Sequence, residues 1–128
     1  MLFRSLAAQE NLAITLRGVI SLAGIVDLLA YEELGNECSA SLPALLGGTS
    51  REQPQRWAAV DPSRLLPLHV PATFIHGELD SIVPLLQSQL MAEATGGALH
   101  VISRGGHFDM VAPQSAAFKI ICQALQEF

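Results

Sequence analysis

Two residues in this sequence have the types and the setting for proton-transfer chemistry. Asp80 lies in PATFIHGELDSIVP, over residues 71–84, and His107 lies in GGHFDMVAP. An acid that fixes a histidine tautomer, and a histidine that takes a hydroxyl proton, are the last two members of a hydrolytic triad. Each run has the same plan: a short apolar stretch, a turn with glycine, a polar residue, and a proline suited to the first turn of a helix, Pro84 or Pro113. The plan puts both residues on loops at the carboxyl ends of parallel strands, where ligands and catalytic groups collect in open α/β sheets. It predicts the Asp80 carboxylate within hydrogen-bond reach of the His107 imidazole.

Plainer roles stand beside this one. Asp80 as a cap for the helix opened by Pro84, and His107 as an ordinary loop histidine, explain the same residue types. His76, just before Gly77, reads as a structural hydrogen-bonding group at a strand end. His100 alternates with apolar neighbours and is expected to face solvent, and His69 lies in a loop. His107 with Asp109 lacks a recognisable ligand spacing, so no metal is expected, and no cofactor motif occurs. As nucleophiles, Ser21, Ser81, Ser103 and Cys38 all miss the sharp strand-to-helix turn that exposes an activated hydroxyl or thiol.

The elements that must position Asp80 and His107 follow from hydrophobic patterning. Residues 72–75 are a short apolar run closed by Gly77, which suits a strand buried on both faces, and residues 98–103 read as a second strand followed by a turn at Arg104 to Gly106. Residues 18–25 (GVISLAGI) read as a further central strand ending near Asp27. Helices are expected over 84–95, with Leu86, Leu90 and Ala94 on the buried stripe and a stop at Gly96-Gly97, and over 113–125, with Phe118, Ile121, Cys122 and Leu125 inward. Leu2, Phe3, Leu6 and Ala7 share one helical stripe without a capping residue before it, as if continuing an element that precedes Met1.

Between the first two strands, residues 27–68 carry no clear strand. Short helices are expected at 28–34 and 42–46, with a third begun by a capping box of Ser50 and Gln53, and Trp57 is expected to pack the insertion onto the sheet. So long a helical segment within an alternating chain has the character of a lid over a site. The fold class is therefore α/β, a three-layer arrangement with a partial parallel sheet of about three strands, flanking helices and a helical lid insertion, all in one domain.

Composition narrows the partners. A hydrophobic content of 50% with 15% charged residues belongs to a folded domain. The net charge of −5 disfavours nucleic acid, and no basic cluster suggests a membrane surface. The apolar run at 18–26 is too short to span a bilayer, and Arg4, Gln9, Glu10 and Asn11 interrupt any signal-peptide core. Cys38 and Cys122, without metal-type spacing, fit a cytoplasmic chain, one disulfide being the other option.

Four segments, GVISLAGIVDL, LLGGTSREQPQRWAAVDPSRLLPLHVP, HGELDSIVP and GGHFDMVAP, together resemble the carboxyl-terminal half of an α/β-hydrolase, of the esterase, acylpeptidase and kynurenine-formamidase-like kind. The resemblance runs from about Arg17 onward. It implies a serine hydrolase of acyl esters or amides, with Asp80 as triad acid and His107 as triad base. The family's G-x-S-x-G nucleophile elbow occurs nowhere in the sequence and is expected just upstream of Met1, so activity requires a nucleophile from a further segment or another chain. The alternative is a non-catalytic remnant that acts as a binding or assembly module. Either way the strand at 18–25 is expected to pair on one side only, leaving an apolar edge that favours a homo-oligomer.

Overall fold

The computed structural model describes residues 15–127; the stripe of Leu2, Phe3, Leu6 and Ala7 lies outside them. Three strands, β1 (Val19–Leu22), β2 (Ala72–Gly77) and β3 (Ala98–Ile102), form a parallel sheet in the order β1-β2-β3. The register runs from Val19 opposite Ala72 to Leu22 opposite Ile75, and from Thr73 opposite Ala98 to Gly77 opposite Ile102. The central strand is buried along its whole length, as an apolar run covered on both faces must be. Full burial of Phe74 and Ile75 contributes about 2 kcal/mol each.

Helices cover both faces. On one, Ile75, Ile102 and Ala23 pack with Met110 and with Ala117 and Ala124 of α5 (Ala116–Ala124). On the other, Ala72 and Phe74 pack with Val26 and with Met91 and Ala92 of α4 (Leu85–Thr95). The chain is thus a three-layer α/β fold, as expected. Between β1 and β2 run α1 (Leu28–Glu32), α2 (Ser41–Leu46), α3 (Pro54–Val60) and a 3-10 turn at Pro62–Arg64.

Several expectations are corrected. β1 stops at Leu22, short of residue 25, because Ala23 turns to φ 42 and the Val26 and Asp27 N–H groups both donate to the Gln87 side chain at 2.8 Å. The buried stripe of α4 is Gln87, Ser88, Met91 and Ala92, while Leu86 and Leu90 are 58% and 49% exposed. Buried backbone donors at the end of β1 need an acceptor, and an amide on the core-facing side of α4 supplies it at the expense of the leucines. In α5 the small residues Ala117 and Ala124 make the close approach, and Leu125 is exposed. The capping box is built by Thr49 and Glu52, one position before the expected pair: Glu52 accepts from the Thr49 N–H at 2.8 Å and donates its own N–H to Thr49 Oγ1 at 3.3 Å.

Trp57 packs elsewhere than on the sheet. It joins Leu28, Tyr31, Leu42 and Leu46 of the insertion and Val83 of the loop after β2 in one core, with Ile82 packed against it. Its indole N–H donates to the Gly48 carbonyl at 3.0 Å, the partner a buried indole needs. The insertion therefore docks on the loop that carries Asp80. Tyr31 Oη and Asn36 Nδ2 both donate to the Ile82 carbonyl, at 3.0 and 3.3 Å.

Candidate active site

The loop after β2 and the loop after β3 are latched by the backbone. Glu78 N–H donates to the Ile102 carbonyl at 2.9 Å, and Leu79 N–H donates to the Gly105 carbonyl at 2.8 Å. The Glu78 carboxylate reaches across to accept from Arg104 N–H at 2.9 Å and Ser103 Oγ at 3.2 Å. Gly77 is where the chains approach most closely. A Cβ there would stand 2.4 Å from the Gly105 carbonyl oxygen, so only glycine fits.

This latch brings Asp80 and His107 together. His107 Nδ1 donates to Asp80 Oδ2 at 2.8 Å, a charge-assisted length. The carboxylate is fully buried and the imidazole side chain is 25% exposed. Asp80 Oδ1 accepts from the Ile82 and Val83 N–H groups at 2.9 Å each, a local turn that holds the carboxylate plane. Asp80 does not cap α4, whose N-cap residue is Pro84 without a side-chain bond. Burial alone would raise the Asp80 pKa. The Val83 N–H, the His107 ring, the Ile82 N–H and the charge of His107 outweigh it and hold the acid below its ordinary value.

His107 begins a 3-10 turn at His107–Val111 that is tied down by Asp109, whose Oδ2 accepts from Gly106 N–H at 2.5 Å and whose carbonyl accepts from Ser115 Oγ at 2.6 Å. With its proton on Nδ1 directed at the carboxylate, His107 presents a lone pair at Nε2. Among the described residues no hydroxyl or thiol is hydrogen-bonded to that nitrogen. Phe108 stands edge-on to the imidazole, ring centroids 5.1 Å apart, and is 68% exposed.

The other residues singled out in the sequence are spread elsewhere. Ser81 is exposed, Ser21 is half-buried in β1, and Ser103 serves Glu78. Cys38 and Cys122 are free and exposed. His100 is half-buried in β3. His76 is fully buried and bonds to Ser88 and Val83. Among the described residues no three His, Cys, Asp or Glu side chains cluster so as to hold a metal ion, and no helix is long and apolar enough to cross a membrane. The leucines beside them mask the contributions of Gln87 and Ser88; a polar pair inside a helix that follows a buried strand is the available signal.

Comparison with known proteins bears on the fold. The chain superposes on an acylaminoacyl peptidase solved in complex with Z-Gly-Gly-Phe-chloromethyl ketone, with a TM-score of 0.71 at 16% identity, over 99% of this chain and 22% of the peptidase chain. The chain thus spans about a fifth of that protein's length. No curated protein matches it. The described residues form part of an α/β-hydrolase fold, and a family model covers residues 3–95, a span that includes Asp80. The chain belongs to the BD-FAE family, an α/β-hydrolase-like family.

Proposed function

We propose that Asp80 and His107 are the acid and base of a serine-hydrolase site for acyl esters or amides, completed by a nucleophile from a segment or chain that this sequence does not supply. The observation that carries the reading is the 2.8 Å bond from a partly exposed imidazole to a buried carboxylate at adjacent strand ends. In the reaction, His107 Nε2 takes the proton of a serine hydroxyl as its oxygen attacks the acyl carbonyl, and then returns that proton to the leaving alcohol or amine. Asp80 stays ionised, keeps the His107 proton on Nδ1 and stabilises the imidazolium. A depressed acid pKa suits that task, because the carboxylate must not take the proton itself.

The test compares p-nitrophenyl acetate hydrolysis by the purified chain with hydrolysis by the chain fused behind a strand–elbow–helix segment bearing G-x-S-x-G. The chain alone is expected to stay at background. The fusion is expected to turn over, and His107→Ala to lower its rate by about 10³-fold or more. Equal turnover by a folded His107→Ala fusion would refute the assignment.

A second reading, assembly, is favoured by one observation: β1 is an edge of the described sheet, with Leu22 40% exposed. Val19 and Ala23 N–H groups bond to the β2 side, so alternation points those of Ile20 and Leu22 outward. We propose that a second copy pairs there. Light scattering after size exclusion is expected to show a dimer or larger species that Leu22→Lys converts to monomer; a wild-type monomer at high micromolar concentration would exclude it.

A further inference from the structure

Behind the Asp80–His107 pair lies a second, wholly buried histidine. His76 is the penultimate residue of β2, and its side chain has no exposed surface. Its Nε2 faces two acceptors, the Val83 carbonyl at 2.9 Å and Asp80 Oδ2 at 3.3 Å. Neither a carbonyl nor an ionised carboxylate can donate, so Nε2 carries the proton. Nδ1 faces Ser88 Oγ at 2.7 Å. Ser88 lies in α4, is fully buried, and donates its hydroxyl proton to Nδ1. These three side chains repeat the Ser-His-Asp order of a triad, but with a serine closed to solvent they cannot reach a substrate.

We propose that His76, oriented by Ser88, is a positioning residue for Asp80; the inference rests on the reading of Asp80 and His107 as a catalytic pair. Asp80 Oδ2 accepts from His107 Nδ1 at 2.8 Å and stands 3.3 Å from His76 Nε2, whose own proton goes to the Val83 carbonyl, while Oδ1 accepts from the Ile82 and Val83 N–H groups. Three donors thus fix the carboxylate, with the His76 ring packed beside Oδ2. The carboxylate cannot turn about its Cβ–Cγ bond without losing bonds on both oxygens. His76 grips the carbonyl of Val83, and the N–H of the same residue holds Oδ1, so the ring braces the residue that fixes the acid. Ser88 fixes the ring flip: turned by 180°, His76 would lose both polar contacts.

The consequence is a requirement for a donor at the position of His76 Nε2. His76→Phe keeps a planar ring and removes the donor; His76→Gln places an amide N–H near the Nε2 position; Ser88→Ala removes the group that orients the ring. The readout is the hydrogen-bonded Nδ1 proton of His107, observed by NMR in ¹⁵N-histidine-labelled full-length chain, together with its exchange with solvent. In His76→Phe that resonance is expected to be displaced or lost, with exchange faster by about tenfold or more. His76→Gln should restore it, and Ser88→Ala should give an intermediate effect. A residue that only filled space would lower the melting temperature and leave the resonance where it was. An unchanged His107 resonance and exchange rate in folded Ser88→Ala together with folded His76→Phe overturns the proposal. If His76→Phe does not fold, an unchanged Ser88→Ala spectrum alone does so. Asp80→Asn in the same experiment separates the two readings: if it leaves the His107 proton untouched, the pair itself is wrong, whereas a response to Asp80→Asn with none to His76→Phe fails only the positioning role.

Discussion

The two loops that meet at the candidate site are built to opposite plans. The acid loop after β2 is embedded: Asp80 and His76 have no exposed side-chain surface, Val83 sits in the core of the insertion, and the Ile82 carbonyl is held by Tyr31 and Asn36. The histidine loop after β3 is open, with His107 partly exposed and Phe108 and Val111 at 68% and 70%. A carboxylate that must keep its charge and direction gains from a fixed, saturated shell. A base that exchanges protons with an incoming group needs one free nitrogen and access to it. The contrast fits that division of labour and predicts unequal responses to mutation.

The largest effect is expected from Asp80→Ala. It orphans the buried Ile82 and Val83 N–H groups and the inward proton of His107, and should cost about 3–5 kcal/mol in denaturant unfolding. His107→Ala removes only one of the donors to Asp80 and should cost about 1 kcal/mol. Equal costs would break the contrast between a buried and an open loop. Next comes Gly77→Ala, whose methyl group would push the Gly105 carbonyl away and unlatch the loops. A loss of about 1–3 kcal/mol is expected, accompanied by loss of the His107–Asp80 bond in the NMR spectrum.

Acid sensitivity sharpens the same contrast with a smaller effect. The native Asp80 carboxylate has a pKa below the ordinary value of 3.8, so near and below that pH the unfolded chain binds more protons than the folded one. The contribution of Asp80 is therefore complete above an unfolded-state value near 3.8 and is lost as pH falls below it through the folded value. Urea midpoints measured from about pH 6 down to about pH 2 should drop less steeply in Asp80→Asn than in wild type. Identical slopes would mean that the buried shell does not favour the charged form.

How much of this was legible in the sequence follows from what each signal measures. A short apolar run closed by glycine marks β2 because burial on both faces leaves an uninterrupted pattern, while β3, an edge strand with Val101 43% exposed, is marked by the repeated strand–turn plan. The repeated strand–turn–polar–proline plan located Asp80 and His107 at neighbouring strand ends. Helix faces were misread where polar satisfaction outranked apolar area: Leu86 and Leu90 marked a stripe, yet Gln87 and Ser88 face inward to serve the end of β1 and His76. No periodicity argument contains the two backbone donors at Val26 and Asp27, since they arise only when Ala23 turns the chain. For the same reason the sequence places Trp57 on the sheet, whereas its indole proton meets the Gly48 carbonyl within the insertion.

The most direct test of the paired loops is the tautomer of His107. An imidazole free in water prefers its proton on Nε2, and a carboxylate beyond Nδ1 reverses that preference. In ¹⁵N-histidine spectra of the neutral ring, His107 is expected with its proton on Nδ1, and His76 in the same spectrum with its proton on Nε2. A His107 signal with the proton on Nε2 would rule out the pair, because Asp80 would then not be its partner.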